Sequence, residues 1–273
     1  MYGTPQHPVK TNKNEIYKIL SKEAEWVSGE HISQLLGVTR AAVAKQVAVL
    51  RKEGHAIKAA PRKGYRLEAS ACDLDLEAVK NSLGGTFFDE GNWLHLKKIS
   101  STNTECMAIA AKGGPQGSLV YSEIQTAGRG RKATDWFSTP RSLQFSLLLR
   151  PGASFPETAE ATVSLCEIIK EVIDQETSLT AVLKAPNDIC VNGKKVAGVL
   201  LETGFRADRL EWVVIGIGIN VNALETDFPP QLQKKCTSLL IEQGTTSNRG
   251  KILAAILQRI DLWYTSPSGP ASR

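Results

Sequence analysis

The chain has 273 residues, of which 42% are apolar and 6% aromatic; this is the composition of ordinary globular protein, with room for two domains of about 100–200 residues each. No run of about 18 apolar residues occurs, so no membrane span is expected, and the opening MYGTPQHPVKTNKNE lacks the apolar segment of a secretory signal. The net charge of +5 is uneven: residues 1–70 carry 12 Lys and Arg against 6 Asp and Glu, and residues 71–273 carry 21 against 22, which points to a nucleic-acid-binding head on a nearly neutral body.

Five cysteines (Cys72, Cys106, Cys166, Cys190, Cys236) are scattered and form no C-x-x-C pair. That argues for a reducing compartment, here the cytoplasm, and against a zinc site. The histidines are dispersed too, with His95 alone beyond residue 70, so no metal site is expected.

Residues 1–13 are expected to be a disordered leader and residues 14–69 a DNA-binding domain. NEIYKIL places Ile16, Ile19 and Leu20 on one helical face. SGEHISQLL reads as a short second helix, Gly37-Val38 as a tight turn, and Thr39 as the N-cap of RAAVAKQVAVLRKEG, which Gly54 closes. Val43, Val47 and Leu50 make the buried stripe of that third helix. Helix, glycine turn, helix is the helix-turn-helix pattern. HAIKAAPRKGYRLEA adds two short strands, a wing bearing Lys58, Arg62, Lys63 and Arg66. The residues expected to meet DNA are Thr39, Arg40, Lys45 and Gln46 on the helix, and Arg62 and Lys63 on the wing. A small helical module with a solvated basic face is the plainer reading.

A linker around Ala69–Asp75 leads to the body, residues 75–264, and residues 265–273 are expected to be a flexible tail. Strand signals recur at Leu96–Ile99, Leu119–Ile124 and Leu143–Leu149, where Gln144 and Ser146 alternate with leucine and phenylalanine as in a half-buried strand. Ser154-x-x-Glu157, with Pro156, resembles the capped start of a helix whose stripe is Val163, Cys166, Ile169 and Ile173, with Val172 at its edge. Asn192-Gly193 between two apolar runs marks a hairpin. LEWVVIGIGINVNA is a strand with Gly216 and Gly218 on one face, where a ligand or another backbone approaches, or where the strand bulges. The predicted fold is α+β: a winged helix-turn-helix followed by a mixed, largely antiparallel α/β domain.

The chemistry concentrates in GRGRKATDW, Gly128 to Trp136, and KAPNDICVNGKKVAG, Lys184 to Gly198. Glycine lets a loop approach a ligand closely, and arginine matches carboxylate and phosphate. GRGR is neither a P-loop nor a dinucleotide fingerprint, and taken alone it reads at least as well as a basic linker or an RNA-binding patch. Lys184 and Lys195 each stand where a fixed ammonium could neutralise a carboxylate or a developing phosphorane, or could simply reach solvent. No nucleophile stands beside a base, which points to a substrate that supplies its own nucleophile, as a carboxylate attacking ATP does.

The order Ser101-Thr102-Asn103, QTAGRGR, Trp136, K-x-P-N-D at Lys184–Asp188, KKVAGVLLE and GIGINVN, behind a winged head, resembles the bifunctional biotin operon repressor/biotin protein ligase family over residues 14–264. The resemblance implies a carboxylate of biotin attacking the α-phosphate of Mg2+-bound ATP to give biotinyl-5′-AMP, then transfer to a lysine of biotin carboxyl carrier protein. It places Ser101, Thr102, Asn103, Gln125, Arg129, Gly130, Arg131 and Lys195 at biotin. Arg131, Trp136, Lys184, Asn187 and Asn220 fall at the nucleotide, and Lys195, Arg129 and Arg131 become the catalytic cations. It further implies operator DNA as a partner and a homodimer formed on binding biotinyl-AMP. The family's second Gly-Arg pair is Ala133-Thr134 here, and the tryptophan of its K-W-P-N-D is Ala185. The family's C-terminal SH3-like domain is expected to be lacking after KILAAILQRIDLWY. The alternative implied by these departures is a biotin-responsive regulator with weak or lost ligase activity.

Overall fold

The computed structural model describes residues 13–22, 26–52, 57–67, 74–131, 134–151, 155–244, 246–266 and 269–271. Residues 1–12 of the expected leader, Gly54, Ala133, Ser154 and most of the linker lie outside these, while Lys13, expected in the leader, is the first residue of the first helix. The chain divides into two compact units at Asp73/Leu74.

The first unit is three helices and a two-stranded wing: α1 (Lys13–Lys22), α2 (Gly29–Leu36), α3 (Arg40–Lys52), β1 (Ile57–Ala60) and β2 (Gly64–Leu67). Ile16, Leu20, Ile32, Val43, Val47, Leu50 and Ile57 form its core, with Ile19 partly buried against it; Ile16, Leu20, Val43, Val47 and Leu50 are those that the 3.6-residue period selects. Ser28 caps α2 by accepting from His31 N at 3.0 Å. Gly37 ends α2 with φ 63°, the left-handed conformation that lets the chain turn sharply into α3. Thr39 Oγ1 accepts from Ala42 N at 3.2 Å and starts α3. β1 and β2 pair antiparallel, Ile57 opposite Leu67.

The second unit is built on a seven-stranded sheet. Its strands are β3 (Trp93–Ile99), β4 (Leu119–Gln125), β5 (Leu143–Leu149), β6 (Val182–Lys184), β7 (Asp188–Val191), β8 (Lys194–Arg206) and β9 (Arg209–Ile219), in the order β3-β4-β5-β9-β8-β7-β6. Only the β3–β4 pair is parallel. The helices are α4 (Leu76–Asn81), α5 (Thr102–Ala111), α6 (Thr158–Glu176), α7 (Pro230–Gln233), α8 (Leu239–Gln243) and α9 (Arg249–Thr265). Cys106 and Ala110 of α5 pack with Val120, Leu148 and Val214. Residues of α6 and α9 belong instead to the larger core, with Phe145, Ile189, Val199 and Ile217. Both hairpin turns of the β7–β8–β9 ribbon use left-handed residues: Asn192 (φ 49°) with Gly193 (φ 79°), and Ala207 (φ 47°) with Asp208 (φ 61°), the geometry that matches strand twist.

Three expectations are corrected. β5 is not half-buried: all seven of its residues are buried, Gln144 and Ser146 included, because it lies inside the sheet with packing on both faces. α6 starts at Thr158, with Glu157 as an N-cap that makes no side-chain capping bond. Its buried face is Ala161, Thr162, Leu165, Cys166, Ile169, Val172 and Ile173. Val163 points outward at 39% exposure, so Val172 is central to the stripe. The expected flexible tail turns back on α9: Ala271 N donates to Tyr264 O at 2.9 Å, and Gly269 and Pro270 are buried.

Candidate active site

The end of β4 and the start of α5 are locked together. Thr102 donates to Gln125 Oε1 from its backbone N at 2.8 Å and its Oγ1 at 3.2 Å. Gln125's amide oxygen is thereby used, leaving its NH2 as the group beside Gly128. Asn103, also at the start of α5, receives a hydrogen bond at Oδ1 from Ser146 Oγ at 2.5 Å and donates from Nδ2 to Glu202 Oε2 at 2.7 Å. The amide is held at both ends, between β5 and β8.

The GRGR segment folds on itself. Trp136 N donates to Gly128 O at 2.9 Å, Gly130 N donates to Thr134 O at 2.7 Å, and the backbones of Arg129 and Asp135 pair as an isolated antiparallel bridge. A Cβ on Gly128 would come 2.9 Å from Trp136 O, so this return of the chain needs glycine there. The closure brings Trp136 over β9: a Cβ on Gly218 would lie 2.4 Å from its ring, and one on Gly216 would lie 2.1 Å from Asn103 Oδ1. The two glycines read from sequence therefore make room for a close approach, by an indole and an amide. The buried Nε1 of Trp136 takes no partner among the described residues.

Lys195 is fixed at its backbone before its ammonium is placed. Its N donates to Lys235 O and its O accepts from Thr237 N, each at 2.9 Å. Nζ then lies 2.6 Å from Asp188 Oδ1 and 5.5 Å from the centre of the Trp136 ring. Two thiols flank this lysine: Cys190 is its cross-strand partner on β7, and Cys236 bridges it on the other side. Burial pushes both thiols up from their ordinary range, with Asp188 adding to it.

Thr102, Asn103, Gln125, Trp136 and Lys195 line one cleft of about 420 Å3, counting its open mouth. Ser101, Thr102, Asn103, Gln125 and Arg129 form its polar end, and Lys195 and Asn187 stand with Gly198 and Trp136 in its wall. Every residue assigned to biotin from sequence except Arg131 lies on it. Arg131 is exposed on the loop, outside the lining. Of the other nucleotide candidates, Trp136 and Asn187 line the cleft. Lys184 does not: it is exposed on β6, at the edge of the sheet. Asn220 is buried outside the lining, donating from Nδ2 to Thr237 O at 3.0 Å and accepting from Ser142 Oγ. Sequence reasoning assigned no role to Asp188, Ser146 or Glu202. Asp188 and Glu202 sit inside quoted motifs, and Ser146 shows as a polar interruption of an apolar strand.

In the first unit, Arg40, Arg62, Ala41, Ala44 and Tyr65 line a groove between α3 and the wing. Lys45, Arg62 and Lys63 are exposed, and Gln46 is half-buried. Thr39 is occupied as the cap of α3, and Arg40 lies 3.8 Å from Glu30. Arg66 stacks over Trp26 at 5.1 Å.

Residues 96–220 match the biotin/lipoate A/B protein ligase family, and residues 12–66 match an HTH domain. The bifunctional ligase/repressor BirA of Bacillus spizizenii is 35% identical over 249 residues, 90% of this chain and 76% of that protein. The biotin--[acetyl-CoA-carboxylase] ligase of Mycobacterium tuberculosis is 31% identical, over 69% of this chain and 70% of that protein. Among solved structures, the biotin protein ligase from Aquifex aeolicus in complex with biotin and ATP superposes with a TM-score of 0.56 at 31% identity, covering 65% of this chain and 73% of that one. With an HTH domain ahead of a biotin/lipoate A/B protein ligase domain, and a bifunctional ligase/repressor 35% identical over 90% of this chain, the chain belongs to the biotin protein ligase family, in its bifunctional ligase/repressor form.

Proposed function

We propose that this protein is a biotin protein ligase that joins biotin to ATP as biotinyl-5′-AMP, passes the biotinyl group to an acceptor lysine, and binds operator DNA through its first unit. The observation that carries the reading is the cleft's two-ended chemistry. A fixed set of amide and hydroxyl groups lies at one end, and an oriented ammonium, Lys195, is held by Asp188.

Biotin's ureido ring offers a carbonyl and two N–H groups, and its valeryl chain ends in a carboxylate. The NH2 of Gln125 suits the carbonyl, while Ser101 and Asn103 supply hydroxyl and amide groups for the rest of the ring. Lys195 then holds the carboxylate and offsets the charge that builds as its oxygen attacks the α-phosphorus and pyrophosphate leaves. In the second step the acceptor's ε-amine attacks the acyl carbon and AMP departs. Trp136 and the folded GRGR segment cover the cleft and keep water from the mixed anhydride. Arg131, exposed on that segment, is the cation available to phosphate from the loop. No group of three His, Cys, Asp or Glu gathers as a metal cage among the described residues. On this reading Mg2+ enters with ATP and would offset the charge of its phosphates.

The acceptor on this reading is biotin carboxyl carrier protein, and a homodimer forms when biotinyl-AMP is bound. Two winged heads on a two-fold operator gain avidity without new contacts. No described helix is long and apolar enough to cross a membrane.

Mass spectrometry of the purified protein with biotin, Mg2+-ATP and carrier protein tests the reading. Biotinyl-AMP and a biotinylated carrier lysine are expected. Biotinyl-AMP with no transfer would leave the ligand-responsive regulator, and neither product would remove the ligase. Sedimentation with and without biotinyl-AMP tests the dimer.

A further inference from the structure

We infer that Glu202 is a positioning residue: its carboxylate fastens the first limb of the GRGR loop to β8 and sets which way the amide of Asn103 faces the cleft. This rests on the ligase reading for what the cleft holds, but not for the tie itself.

Glu202 stands on β8 opposite Val214 of β9, in the long hairpin of the sheet. Its two oxygens lie 3.0 and 3.1 Å from Arg129 Nη2, and Oε2 also accepts from Asn103 Nδ2 at 2.7 Å. The second terminal nitrogen, Nη1, donates to Thr104 Oγ1 at 3.1 Å. Arg129 thus spans from the middle of the loop to α5 and β8 at once. An exposed ion pair contributes little by itself. This one differs in that the acid also holds an amide that is 4% exposed, and an unpaired buried donor is costly. Without Glu202, the remaining acceptor near Asn103 Nδ2 is Leu200 O, at 3.5 Å.

The consequence concerns charge at the site. Arg129 and Lys195 are the two cations among the described lining residues. With Arg129 given to Glu202, the carboxylate of a bound substrate meets the ammonium of Lys195, while Arg129 acts as a tie that shapes the polar end. Glu202 therefore sets both the loop's seat and the direction of the Asn103 amide that a bound ring would read.

The test uses the full chain with E202Q, which removes the charge and exchanges one of the two acceptor oxygens for an NH2 that cannot accept from Arg129 or Asn103, together with R129Q and the double variant. Tryptic cleavage after Arg131, an exposed loop residue, needs no ligand. It should quicken by about five- to tenfold in each single variant, and the double should be no faster than the faster single, as coupled residues behave. Cleavage at sites outside the loop should keep the parent rate, which general loss of structure would not allow. Parent-rate cleavage after Arg131 in E202Q, or a double variant showing the product of the two accelerations, overturns the tie. In parallel, calorimetric titration with biotin should give a Kd raised about tenfold in each single and no further in the double. Parent-like affinity in E202Q overturns the positioning role at the cleft. A parent protein that binds no biotin overturns the ligase reading instead, and the cleavage arm then decides the tie.

Discussion

Lys195 and Asp188 meet across the β7–β8 ladder with Nζ 2.6 Å from Oδ1, and a register shift between Ile189 and Cys190 lies beside the pair. The shift places Lys195 opposite Cys190 while Asp188 faces Gly198. The ammonium can then lie back over the small residue, close to where a glycine Cβ would be. A strand-end lysine that would ordinarily reach solvent is aimed into the cleft by its backbone and its acid.

Lys195→Ala should slow biotinyl-AMP formation by about 10²–10³, the usual loss of one preorganised donor, and leave DNA affinity in the absence of ligand unchanged. Pyrophosphate release measured against time gives the rate. An adenylation rate equal to the parent's would remove Lys195 from the chemistry.

Gly216→Ala and Gly218→Ala should each weaken biotin binding and lower stability, by about 1–3 kcal/mol as overpacking does. The added methyl would meet Asn103 Oδ1 at 2.1 Å or the Trp136 ring at 2.4 Å. Gly193→Ala, at a turn with open space around it, serves as the comparison: its cost is backbone strain alone, and biotin affinity should hold. Equal biotin affinity across all three variants would mean that the two strand glycines do not shape the cleft.

Replacing Arg62 and Lys63 together by alanine should flatten the log–log salt dependence of DNA binding by up to about two units, roughly 0.9 per phosphate contact. Gln46→Ala should instead alter sequence preference. A salt slope identical to the parent's would take the wing off the phosphates.

Alkaline stability should fall from above pH 9. Burial pushes Cys106 and Cys166 up from 9.0 to about 12. Each group therefore holds its proton in the folded chain where the unfolded chain has lost it. The stabilisation is complete below the unfolded value and is lost as pH rises through the folded one, at about 1.4 kcal/mol per pH unit for each group. Urea unfolding of the parent and Cys106→Ala between pH 8 and about 11 should show a shallower fall in the variant. Parallel curves would mean that Cys106 carries none of it.

Much of this site could be read from the chain because its parts are local. GRGR, the Asn192-Gly193 turn and the spaced glycines of β9 each state a backbone requirement within a few residues. What escaped was set by distant contacts. Gln144 and Ser146 look solvent-facing until α5 is packed over β5, and Ser146 then becomes the partner of Asn103. The stripe of α6 is legible at Cys166, Ile169 and Ile173 but not at Val163, because Ser154 and Glu157 fit a capping pattern while the helix starts at Thr158 and its burial follows the sheet beneath it. Lys184 and Asn220 lie in recognisable motifs, yet the end of β6 turns the first to solvent and a carbonyl at Thr237 takes the second. Glu202 closes a contact 73 residues from Arg129, a distance over which neither period nor turn chemistry carries information.

Cys190 and Cys236, on either side of Lys195, bear on how such a site survives its own intermediate. An acyl–phosphate anhydride will acylate a thiolate as well as an amine, and a lasting thioester beside Lys195 would poison the enzyme. Burial and the neighbouring Asp188 hold both sulfurs as neutral thiols, and the neutral form is the unreactive one. Neither cysteine is among the residues that line the cleft, so position and protonation together keep both away from the activated biotin until an outside amine arrives.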